Sequence, residues 1–69
     1  MNKDFCINVL RAGGSLRVNT MNKDFLIEMA KAAKGAGSRL EIVGSMNVDF
    51  MVEIARAGGT SVMFDLSRP

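Results

Sequence analysis

The sequence predicts an α/β fold: three helix–strand repeats forming a two-layer, solenoid-like stack, with a small three-stranded parallel sheet and the helices on one face. Three observations predict it. The motif MN-x-DF occurs at residues 1–5, 21–25 and 46–50. Each copy runs on to a glycine-rich break, and each break is followed by a short run of alternating apolar and polar residues. The unit therefore restarts every 20 to 25 residues, as 1–20, 21–45 and 46–69 of one domain. A fixed period of that length marks a repeat architecture. The first and last copies share eight identities when aligned on Met1 and Met46, ending in Arg-Ala-Gly-Gly in both.

The motif itself reads as a helix start. With Asn2, Asn22 and Asn47 as N-caps, each side-chain oxygen accepts from an orphan backbone N–H of the first turn. Asp4, Asp24 and Asp49 then sit where negative charge suits the positive end of the helix dipole. Met1 with Cys6, Met21 with Leu26 and Met46 with Met51 take the two positions of a hydrophobic staple. Apolar stripes follow at helical spacing: Phe5, Cys6, Val9 and Leu10; Phe25, Leu26, Met29, Ala30 and Ala33; Phe50, Met51, Ile54 and Ala55. Ile7, Ile27 and Val52 fall off the centre of these stripes, which implies a second contact with a neighbouring helix. Arg11, Lys31 and Arg56 are expected in the last turns, where cations favour the dipole. Gly13-Gly14, Gly35 with Gly37, and Gly58-Gly59 end the helices, glycine being the residue that accepts a left-handed backbone. They follow helices and match no phosphate-loop pattern.

Strands are expected within SLRV, SRLEIV and TSVMF. Leu16 and Val18 alternate with Arg17, Leu40 and Ile42 with Glu41, and Val62 and Phe64 with Met63. Strands joined through helices are parallel, and a parallel sheet covered on both faces reads as continuous apolar runs. The alternation instead predicts one packed and one wet face. Right-handed crossovers in sequential strand order put the helices on one side. A doubly wound sheet is the competing arrangement, with a ligand crevice by Thr20 and Ser45 at the strands' carboxyl ends.

Composition narrows the function classes. The 69 residues contain no His, Tyr or Trp and one cysteine, which removes the commonest general base and most metal ligands. Neither a disulfide, a metal site nor a cofactor is expected. Cys6 replaces Leu26 and Met51 of the other copies and reads as a small core hydrophobe. Asp24 with Glu28 and Asp49 with Glu53 stand four apart, a spacing expected to give weak surface ion pairs beside Lys31 and Arg56. The chain lacks a signal-peptide h-region and any run of ~20 apolar residues, so with its lone thiol it is expected in the cytoplasm.

A chain this short buries only about 60% of its unfolded surface, which favours self-association. The expected activity is non-enzymatic: protein–protein interaction or self-assembly through the wet face, lined by Arg17, Arg39, Glu41, Val43, Met63 and Asp65, and through the apolar edge of the last strand. A two-fold homodimer pairing that edge is the expected assembly. Nucleic-acid binding by Arg17, Arg39, Lys31 and Lys34 is the alternative. The net charge of +2 and the lack of Tyr and Trp as stacking platforms argue against it.

Overall fold

The computed structural model describes residues 2–67. Six main elements alternate along it: α1 (Lys3–Arg11), β1 (Leu16–Asn19), α2 (Lys23–Ala36), β2 (Leu40–Val43), α3 (Val48–Gly58) and β3 (Val62–Asp65). A single 3-10 turn, Gly59–Ser61, joins α3 to β3. The strands form one parallel sheet in the order β1-β2-β3. The fold is α/β, with three helices and a small three-stranded parallel sheet, as the alternating pattern predicts.

All three helices begin as the motif dictates. Asn2 Oδ1 accepts from the Phe5 N–H at 2.8 Å. Asn22 Oδ1 accepts from Asp24 and Phe25, and Asn47 Oδ1 from Asp49. Each bond satisfies an N–H that the helix ladder cannot reach. Met21 and Met46 pack against the core, with Leu26 fully buried at the far end of its staple; the Met1 half of the first staple lies outside the described residues. α2 runs through Lys31 and Gly35, so Lys34 is the cation of its last turn. Its three extra residues add nearly a turn to the helix. It stops at Gly37, whose φ of 70° is left-handed, and the next N–H, of Ser38, donates back to the Ala33 carbonyl at 2.9 Å. That back-bonded pattern closes the orphan carbonyls of the final turn.

The helices lie side by side, α1 on α2 and α2 on α3. Their inner residues Cys6, Leu10, Leu26, Met29, Ala30, Ala33 and Ile54 form one buried cluster with Val18, Leu40 and Ile42 of the sheet. Leu16, Val62 and Phe64 border it. These strand residues share a parity, so one sheet face is spent on the helices, and Arg17, Glu41, Met63 and Asp65 belong to the other. Ser38, the one buried polar side chain among the described residues, donates to the Leu10 carbonyl at 2.6 Å and ties β2 to the end of α1.

The apolar stripes need correction at their aromatic member. Phe5, Phe25 and Phe50 are 55%, 42% and 40% exposed and stand outside the core. Ala55 is also exposed. Lying in the first turn of its helix, each phenylalanine reaches the rim of the helix layer. Phe25 and Phe50 are covered there by a lysine: Lys3 Nζ sits 5.0 Å from the Phe25 ring centre and Lys23 Nζ 4.9 Å from that of Phe50. Ile7 faces α2 across a groove and Ile27 packs against the core, while Val52 is exposed.

Candidate functional site

Backbone register brings the wet-face residues together. Arg17 pairs with Glu41 and Glu41 with Met63, forming one row across the sheet; Asn19, Val43 and Asp65 form the next. Arg39, one residue before β2, joins Arg17, Glu41, Met63 and Ser15 around a shallow hollow of about 290 Å³. Its N–H donates to Ser15 Oγ at 3.0 Å. All six residues expected on this face therefore fall on its parity.

The charges compensate one another. Arg17 Nε lies 3.0 Å from Glu41 Oε2, and its Nη2 donates to Asp65 Oδ2 at 2.8 Å. The guanidinium reaches past β2 to β3, so one side chain fastens all three strands. Its planar fork suits that double engagement. Two arginines against two carboxylates leave the face without net charge, and Met63, 43% exposed, is an apolar residue at its β3 edge.

Asp65 is held as a carboxylate. The hydroxyl and the backbone N–H of Ser67 both donate to it, and Arg17 adds a third hydrogen bond, lowering its pKa from 3.8 to about 2. A carboxylate whose folded pKa is depressed contributes stability above the unfolded pKa, and that stability is lost as pH falls through the folded one. Asp65→Asn should therefore lower stability by a constant amount above pH ~4. The gap to the parent chain should close on the way to pH ~2. Urea unfolding of both proteins from pH 7 to pH 2 checks this; a gap independent of pH would show that the charge is idle.

The other basic candidates lie elsewhere. Lys31 lines a groove between α1 and α2 with Ile7, Arg11 and Glu28, and Lys34 is exposed at the end of α2. Both belong to the helix layer, so the four cations considered for nucleic acid do not form one patch. The helical carboxylates also pair differently from the sequence expectation. Glu28 bonds Lys3 at 2.8 Å and Glu53 bonds Lys23 at 3.1 Å, each across a helix junction and not along its own helix. The Glu28 hydrogen bond raises the Lys3 pKa. Lys3 and Lys23 escaped sequence reasoning. The available signal was the joint presence of lysine at the third motif position and glutamate at the eighth position of the following copy.

Thr20 and Ser45 lie in the loops after β1 and β2, with Thr20 beside Gly44 and its N–H donating to the Val43 carbonyl. Cys6 is buried and forms no disulfide. No group of three or more metal-ligating side chains occurs among the described residues. No described helix is long and apolar enough to cross a membrane. No protein-family model matches the chain, and no curated protein or solved structure matches it either.

Proposed function

We propose that this is a non-enzymatic interaction protein: a solenoid-like stack of three helix–strand units that binds protein, in the first instance a second copy of itself, through the open sheet face and the edge of β3. The observation that carries the reading is the edge. The Gly44 N–H donates to the Asp65 carbonyl, so the peptide groups of Asp65 point toward β2. By alternation those of Phe64 and Leu66 point away from the sheet. Unpaired edge groups of this kind are a template for another strand. Among the described residues Met63 and Leu66 are both exposed here, and no lysine or proline lies between Val62 and Ser67. The compensated charges on the sheet face support a protein partner over a polyanion, which needs unspent cations. The single, buried thiol supports a cytoplasmic setting.

The test is one substitution. Leu66→Pro removes an outward-pointing N–H, and Leu66 is 59% exposed, so the core keeps its side chains. The residue before a proline prefers extended backbone, which Asp65 in β3 already has. Light scattering after size exclusion should show the parent chain associating at micromolar concentration and the variant monomeric with an unchanged circular dichroism spectrum. A folded parent chain that remains monomeric to millimolar concentration would exclude the self-association. Salt-sensitive binding of a labelled oligonucleotide, abolished by Arg17→Glu with Arg39→Glu, would replace the reading with the nucleic-acid one.

A further inference from the structure

The two helix junctions inside the chain use the same contacts. At the first, α1 presents Lys3 and Ile7; Lys3 covers Phe25 and bonds Glu28, and Ile7 faces Ala32 across the groove. At the second, Lys23 covers Phe50 and bonds Glu53, with Ile27 and Ala57 packed against the core. Motif alignment gives the corresponding residues at the two outer surfaces. On α3, Val48 stands where Lys3 and Lys23 stand, and Val52 where Ile7 and Ile27 stand. On α1, Phe5, Asn8 and Ala12 stand where Phe25, Glu28 and Ala32 stand. All five are exposed or half-exposed, Val48 by 69%.

The substitutions match in pairs. The surface that has lost its lysine would meet the surface that has lost its glutamate, so that pair is lost on both sides together, while Arg56 and Arg11 stand where Arg11 and Lys31 line the internal groove. Phenylalanine and alanine are retained on α1, where inside the chain they receive a neighbouring helix. Valine replaces lysine opposite them, giving an apolar contact in place of a cation over a ring. The strands agree. Leu16 donates to the Arg39 carbonyl, so the peptide groups of Leu16 and Val18 face β2, and by alternation those of Arg17 and Asn19 face outward. Val62 and Phe64 of β3, with the N–H of Leu66 just beyond it, present the complementary outward set, in the same parity by which β2 meets β3.

We infer that the α3–β3 end of one molecule docks on the α1–β1 end of another, head to tail, continuing the sheet in parallel and placing Val48 of one copy over Phe5 of the next. This rests on the self-association reading and replaces its two-fold dimer with a heterologous interface. Such an interface closes into a ring or runs on as a filament.

Two blocked variants test the geometry. Val48→Glu alters only the α3 end, and Phe5→Glu only the α1 end; glutamate suits the first turn of either helix, and both side chains are exposed. Each variant alone should associate at least about tenfold more weakly than the parent chain, because a charge is buried against an apolar partner. Mixed one to one, they share one intact junction and should form 1:1 pairs that grow no further, measured by sedimentation velocity. A Phe5→Glu protein that associates like the parent chain, or a mixture that stays monomeric while the parent associates, would overturn the head-to-tail arrangement and leave self-association standing. A monomeric parent chain would remove both. Val48→Lys with Asn8→Glu supplies the opposite test. It recreates the lysine–glutamate pair between molecules and should tighten association by roughly two- to fivefold; no gain would count against the geometry.

Discussion

Leu26→Ala is expected to remove a large share of the protein's stability. Leu26 is completely buried at the start of α2, the helix that packs against both α1 and α3. Truncating such a leucine costs about 2–5 kcal/mol, as lost transfer energy plus the cavity left behind. A chain of this size has a total stability of about 3–10 kcal/mol. The site collapses poorly, because Met29, Ala30 and Ala33 on the same helix are already at zero exposure. Urea denaturation followed by circular dichroism measures the loss. A decrease below about 1 kcal/mol would mean that α2 is not the centre of the core. Leu26→Met, close to volume-neutral, should cost less than about 1.5 kcal/mol.

Gly58→Ala is expected to be the most damaging change of a glycine. In an open helix end, alanine would gain up to about 1 kcal/mol in helix propensity. Here a Cβ on Gly58 would fall 2.2 Å from Val62 Cγ2 and 3.0 Å from Ala30 Cβ. Val62 is β-branched and stiff about χ1, and the Ala30 Cβ moves only with the α2 backbone. Overpacking of this kind costs about 1–3 kcal/mol, so the clash outweighs the propensity. Val62→Ala removes the closer obstacle, and the double variant should lose less stability than the two single changes summed. Additive losses in that cycle would place the damage elsewhere.

Gly58 also shows where sequence reading reached its limit. Its place in a Gly-Gly pair at the end of a helix marks it as a terminator, yet its backbone φ is −104°, open to any residue. Its real constraint is the proximity of α2, which only the folded chain reveals. The helix starts were legible because an N-cap is a local device: Asn2, Asn22 and Asn47 act within three residues of themselves. The strands were legible because parity survives folding, and Arg17, Glu41 and Met63 fell on one face as alternation requires. The phenylalanines were not. Helical spacing gives a direction around the axis but not a height along it, and at the first turn that direction opens onto the rim. The ion pairs of Glu28 and Glu53 were equally hidden, since the competing partners Lys31 and Arg56 sit at nearer sequence positions. The reach of Arg17 to Asp65 depends on β2 lying between their strands, a fact of topology and not of spacing.

The strand order has a kinetic consequence. Leu16 meets Leu40 and Leu40 meets Val62, so every ladder closes over roughly one unit of chain. A loop of that length must close before any ladder bond forms, and parallel pairing of this kind is slower than contact within a helix. The central helix and strand take part in both pairings, so a nucleus forming there can grow in either direction. The bond between Arg17 and Asp65, 48 positions apart, is then the last latch to close, and its loss should quicken unfolding while leaving the refolding rate nearly untouched.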